Sequence, residues 1–241
     1  MKRAKRSWKS YIGEALMLCL CAVYFIPFYY LIVNTFKPSR EATFSPLSLP
    51  GASFTLDNYR KAFDTINFLS SLRNSVVITV ISVAIIILFG SMAAYTITRR
   101  KNKVTKVLFI YFLVGFMVPV QTTMIPLFKL MSSLNLTNSV GGMIVLYSSW
   151  CNFAMFMYQG FLGTVPRDLE DAAFIDGCGP FRVFWRIVFP LIKPVTITIM
   201  IFDVMWIWND FMLPYLFVGS SENFTLIMEV YKGVGEFSNN W

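Results

Sequence analysis

Residues 167–191 read Arg-Asp-Leu-Glu-Asp-Ala-Ala-Phe-Ile-Asp-Gly-Cys-Gly-Pro-Phe-Arg-Val-Phe-Trp-Arg-Ile-Val-Phe-Pro-Leu. This charged island interrupts a chain that is otherwise close to continuous apolar helix, so it reads as a loop between membrane spans. Pro166 suits a first helical turn, where its missing N–H has no partner to lose, and Asp168, Glu170 and Asp171 complement the helix dipole there. Gly177 supplies the left-handed residue that ends a helix, and Gly179-Pro180 opens the next. The second helix places Phe181, Phe184 and Ile187 or Val188 on one side and Arg182 and Arg186 on another. The pattern predicts an amphipathic hairpin of two short helices lying at a membrane face.

Composition sets the class. Of 241 residues, 56% are hydrophobic and 14% charged, and mean hydropathy is +0.59, too apolar for a soluble domain. The net charge of +8 arises from basic clusters beside apolar runs rather than from one basic face, which argues against nucleic acid as a partner. With no histidine, His-dependent acid–base chemistry and the common zinc sites are excluded. The four cysteines are scattered and suggest no disulfide framework.

Residues 1–14 form a basic N-terminus ahead of a first apolar run, 15–36, which lacks a small-residue cleavage site and reads as a retained anchor. Residues 34–75, broken by Pro38, Pro46, Pro50 and Gly51, read as an extended external loop without a core of its own, with one short helix around Asp57 to Phe63. Further spans are expected at 76–98, 107–128, 140–163 and 194–218, each long enough to cross roughly 30 Å of hydrocarbon at 1.5 Å per residue. Pro119 and Pro126 predict a kinked or broken third span, serving either packing or a gate. The segment 164–193 holds the hairpin.

Lys and Arg counts orient the chain. Segments 1–14, 98–106 and 162–193 hold 14 of the 21 basic residues and are expected to be cytoplasmic, placing the N-terminus inside. Five crossings then leave residues 219–241 outside, so a sixth span and a short cytoplasmic tail are expected to follow.

The spacing Asp171-Ala172-Ala173, then Gly177, then Ile187-Val188-Phe189-Pro190 resembles the cytoplasmic Glu-Ala-Ala loop of binding-protein-dependent ABC importer permeases. Asp171 stands where Glu is usual, and Phe189 where Leu is usual. Phe36-Lys37-Pro38, Phe54 to Tyr59, Pro119 to Phe128, and Trp208-Asn209-Asp210-Phe211 with Pro214 are similar to the carbohydrate branch of that family, of maltose-importer type. The resemblance implies an all-α integral membrane protein, a polytopic bundle of the MetI-like permease type, with five spans present and the sixth missing. It implies a bacterial cytoplasmic-membrane subunit that pairs with a second permease, an ABC ATPase pair and an extracytoplasmic solute-binding protein. Glu170, Asp171, Ala172, Ala173, Asp176, Gly177, Ile187 and Pro190 then form the ATPase-docking set. The implied cargo is an oligosaccharide, a disaccharide or a polyol phosphate.

No phosphate-binding loop of the G-x-x-x-x-G-K-[ST] type occurs, so the chain is expected to hold no cofactor, with ATP and Mg on the partner ATPase. Within the fifth span, Asp203 costs about 2.5–3.5 kcal/mol at mid-bilayer and is expected to face protein or a water-filled path. Asp203 and Asp210, seven apart, are expected on one helix face with Trp206 beside them, and with Asn209 they suit a polyol along a translocation path. The competing reading makes Trp208 and Asp210 an interfacial belt and pairs Asp203 with a neighbouring helix. A non-sugar permease, a membrane-embedded hydrolase and a passive channel remain as rival functions; the hydrolase lacks a nucleophile–base pair, and the channel has no use for the hairpin.

Overall fold

The structure, a computed structural model, describes residues 8–51, 53–100 and 102–236. Most of the basic N-terminus, including Lys2, Arg3, Lys5 and Arg6, lies outside the described residues, as do Lys101 and residues 237–241. Every regular element among the described residues is helical. Among the described residues three helical stretches, Tyr11–Thr35, Phe68–Arg99 and Val140–Leu162, are long and apolar enough to cross a membrane, and up to five spans result if each of two bent pairs counts as one.

The chain divides into two units, residues 1–66 with 230–241, and residues 67–229. In the first, α1 (Trp8–Thr35) exposes apolar side chains such as Leu16, Leu20, Phe25 and Ile32 around its circumference, as a lipid-facing helix does. Two short helices follow, α2 (Ser39–Phe44) and α3 (Asp57–Thr65). Contrary to the expectation of a loop without a core, this segment closes around Lys37, which is 0% exposed. Its Nζ donates to Ser45 O at 2.8 Å and Ser48 Oγ at 3.2 Å. Asn58 Nδ2 donates to Thr35 O and Lys37 O, and Phe36 stacks on Phe54 at 5.2 Å. A buried ammonium is tolerable only when so satisfied, and that need orders residues that composition marks as loop.

The second unit is built on α4 (Phe68–Arg99), 32 residues and about 48 Å long. Ser71, Ser75, Ile78, Ser82, Ile86, Gly90 and Ala94 lie buried along one stripe of it. Small residues there let other helices approach closely: a Cβ at Gly90 would stand 3.1 Å from Ala154 Cβ. Against α4 pack α7 (Val140–Ser148), α8 (Asn152–Leu162) and α12 (Lys193–Asn209). Met143, Leu146, Tyr147, Met155, Tyr158, Leu162 and Ile199 fill the space between them.

Proline breaks the third span: α5 (Lys103–Met117) and α6 (Val120–Ser133) meet at 103° across Val118-Pro119, whereas Pro126 sits inside α6 without ending it. Two other breaks carry no proline. Ser149 to Cys151 separate α7 from α8, and α12 stops at Asn209, with α13 (Met212–Phe217) following. A final helix, α14, covers Leu226–Glu236.

Candidate functional site

The hairpin begins with α9 (Asp168–Ile175), whose first turn carries Asp168, Glu170 and Asp171. It ends in a pair of bonds that tie off its last carbonyls, Gly177 N–H to Phe174 O at 3.0 Å and Cys178 N–H to Ala173 O at 2.9 Å. Gly177 has φ of +79°, the left-handed conformation expected from sequence. The second arm runs through α10 (Pro180–Val183), one wide π turn over Phe184–Val188, and α11 (Phe189–Leu191). Pro190 has no N–H to give Arg186 O, and the chain accommodates this by the wider turn, with Phe189 N–H bonding Phe184 O. This arm joins α12 at 75°.

Burial divides the residues grouped here by sequence. Asp171, Ala172, Asp176, Gly177 and Pro190 are exposed and Ile187 is half-buried, while Glu170 and Ala173 are buried. Those two sit three apart on the inner face of α9, so neither lies on the hairpin's outer edge as the sequence grouping implied. Glu170, 4% exposed, pairs through Oε1 with Arg99 Nη2 at 2.6 Å and accepts from the Tyr95 hydroxyl at 2.8 Å through Oε2. Arg99 Nη2 also donates to Val165 O at 3.1 Å. In return, Arg167 Nη2 donates to Thr98 O and Arg99 O at the end of α4.

At the far end of α12 a second group forms. The Trp206 ring stacks on Trp150 at 5.1 Å and 25°, and Trp150 meets Tyr147 edge-on at 6.0 Å. The Tyr147 hydroxyl donates to Asp210 Oδ2 at 2.9 Å, and Asp210 Oδ1 accepts from Met212 N–H at 3.0 Å. Asp210 is therefore an extended residue beside the start of α13, not a member of the α12 helix.

This corrects the expectation that Asp203 and Asp210 share one helix face with Trp206. Asp203 is 4% exposed and faces the core with Ile199 and Ile207, its Oδ2 without a hydrogen-bond partner among the described residues. Trp206 is half exposed on another side of α12. Asn209 is exposed, its amide donating back to Met205 O at 2.7 Å. The structure thus gathers Trp206, Asp210, Trp150 and Tyr147, and leaves Asp203 apart. Tyr95, Arg99 and Tyr147 are additions to the sequence-derived set. Tyr95 and Arg99 carried a signal in their spacing, four apart on one face of α4, whereas Trp150 lies in the break after α7 and its contact with Tyr147 follows no helical spacing.

Comparison with known proteins agrees with this architecture. The family model described as binding-protein-dependent transport system inner membrane component matches residues 86–236. The chain is similar to the probable starch degradation products transport system permease protein AmyC of Thermoanaerobacterium thermosulfurigenes, 36% identical over 97% of this chain and 85% of the relative. It is also similar to the melibiose/raffinose/stachyose import permease protein MelC of Bacillus subtilis, 31% identical over 99% of this chain and 86% of the relative. Among solved structures, a chain of a bacterial ABC transporter involved in the import of the acidic polysaccharide alginate superposes with a TM-score of 0.82 at 19% identity, covering 99% of this chain and 85% of that one. At that identity the superposition speaks to fold alone.

Proposed function

Because the chain belongs to the family of binding-protein-dependent transport system inner membrane components, we propose that it is one permease subunit of an ATP-driven carbohydrate importer whose ATPase docks on the hairpin. Relatives named for starch degradation products and for melibiose, raffinose and stachyose support a carbohydrate as cargo. The chain is a transporter subunit rather than an enzyme. ATP and Mg belong to a separate ATPase pair, a second permease completes the membrane pore, and an extracytoplasmic binding protein delivers the solute. It spans the bacterial cytoplasmic membrane several times with its N-terminus inside.

The observation that carries the docking role is the hairpin's outer edge: Asp171, Ala172, Asp176 and Gly177 are all exposed around a turn held by Gly177. A small side chain at Ala172 lets a partner surface come close, and Asp171 offers it a carboxylate for a basic group. Closure of the ATPase pair then moves the hairpin and tips the spans between two arrangements. Trp206, Asn209 and Asp210 line the translocation path, with the Trp206–Trp150 stack as its apolar wall and Asp210 as its polar one, while Asp203 stands behind them in the helix core.

The test is Asp171→Lys in the complete importer. The expected result is loss of ATPase co-purification and of ATP-dependent uptake, with the permease pair still in the membrane. Full co-purification and normal uptake by this variant would sink the docking reading.

A further inference from the structure

We infer that Glu170, Arg99 and Tyr95 form a strut that makes the hairpin and the end of α4 move as one body. The inference rests on the docking reading above and names the route by which the hairpin's motion enters the membrane.

Both arms of the hairpin are gripped by the same turn of α4. Tyr95 reaches the first arm through its hydroxyl on Glu170 and the second through its ring, 5.3 Å from that of Phe184. Arg99 holds the Glu170 carboxylate and the Val165 carbonyl just before the hairpin. Arg167 bonds the Thr98 and Arg99 carbonyls, which as helix-terminal acceptors lack intrahelical partners. Contacts therefore run in both directions between two elements far apart in sequence.

The pair is nearly dry, with side-chain exposures of 12% for Arg99 and 6% for Glu170. A buried ion pair is seldom a better stabiliser than apolar groups of the same volume, but breaking one by removing a single partner is severe. What such a pair supplies here is a fixed geometry at a hinge between a surface loop and a helix of 32 residues. Arg99, which charge counting assigns to a cytoplasmic basic turn, is consumed inside the protein and is not available to lipid or solvent. Since α4 packs on α7, α8 and α12, a displacement of its end is passed to all three. Glu170, Arg99 and Tyr95 are positioning residues in this scheme. They touch neither solute nor ATPase.

The test uses the complete importer in proteoliposomes, scoring ATPase co-purification, ATP hydrolysis and uptake separately for Glu170→Gln, Arg99→Gln, the double variant and Tyr95→Phe. The expected result is an ATPase that stays bound and hydrolyses ATP, with uptake per ATP reduced about tenfold in each Glu170 or Arg99 variant and about threefold in Tyr95→Phe. The double variant should be no worse than Arg99→Gln alone, because both changes break the same Glu170–Arg99 pair.

Unchanged uptake per ATP with the ATPase bound overturns the strut, as do single losses that multiply in the double variant. Loss of the ATPase from Glu170→Gln also overturns it, assigning Glu170 to the docking edge instead. Should the charge variants not reach the membrane, Tyr95→Phe, which removes one hydroxyl from the same contact, carries the comparison. Failure of Asp171→Lys to release the ATPase would count against docking, independently of these ratios.

Discussion

Glu170 and Asp171 carry the same charge on adjacent positions, yet one is buried against Arg99 and the other faces solvent. Their difference follows from the 100° that separates neighbours on a helix, and it decides which carboxylate is exposed and which holds the chain to itself. Glycine positions divide in the same way. A Cβ at Gly142 would stand 1.7 Å from Leu136 O and 2.8 Å from Leu136 C, whereas at Gly141 nothing lies within 4 Å. Gly142→Ala must push backbone apart at a turn where its N–H already bonds Ser139 Oγ at 2.9 Å. Overpacking of that kind costs about 1–3 kcal/mol or more, which at this chain size lowers the melting temperature by several degrees. Gly141→Ala, by contrast, gains up to about 1 kcal/mol of helix propensity. Thermal unfolding of the two variants in detergent should move in opposite directions; equal melting points would count against the Leu136 contact.

The hairpin's boundaries are the part most legible in the sequence, because the features that set them are local, whereas the burial of Glu170 against Tyr95 and Arg99 is not. The acidic first turn, Gly177 and Pro180 each announce a helix boundary by their own chemistry, and the structure puts the boundaries there, whereas Pro166 stands just outside the first turn, ahead of the N-cap Arg167. The turn also yields a clean prediction. Nothing lies within 4 Å of a Cβ at Gly177, so a substitution there is opposed by backbone conformation and not by space. A non-glycine residue in the left-handed region costs about 1–2 kcal/mol, less for Asn. Gly177→Asn should therefore keep ATP-dependent uptake near normal, while β-branched Gly177→Val abolishes it with the protein still in the membrane. Equal uptake by both would show that the turn does not matter to coupling.

Other elements were legible only where proline marks them. The bend between α5 and α6 follows from Pro119, but the breaks at Ser149 to Cys151 and after Asn209 depend on tertiary partners. Asp210 leaves the helix because Tyr147, 63 positions away, and the N–H groups of α13 supply better bonds than another helical turn. Lys37 likewise is buried by contacts with Ser45 and Ser48 that no periodicity encodes.

At the scale of the whole second unit, α12 is the rod that separates the hairpin from the aromatic group of Trp206, Trp150 and Tyr147. It starts at Lys193, directly after the hairpin, and runs for 17 residues to Asn209, about 25 Å in length. One end meets the arm that carries Pro190; the other brings Trp206 onto Trp150 beside the Tyr147–Asp210 pair. This separation predicts that lesions at the two ends differ in kind. Trp206→Ala removes half of an aromatic stack that is open on one side, so it should weaken solute handling while leaving the hairpin, the strut and ATPase binding intact. A loss of about 1.4 kcal/mol of stacking on the passing sugar corresponds to a tenfold rise in KM for uptake. Maximal uptake per ATP at saturating solute should stay close to that of the unsubstituted protein, because the Glu170–Arg99 pair and the packing of α4 are untouched. Asp171→Lys should show the reverse, a lost maximum through lost ATPase. If Trp206→Ala lowers uptake per ATP at saturation and leaves KM unchanged, the stack belongs to the moving machinery rather than to the solute path.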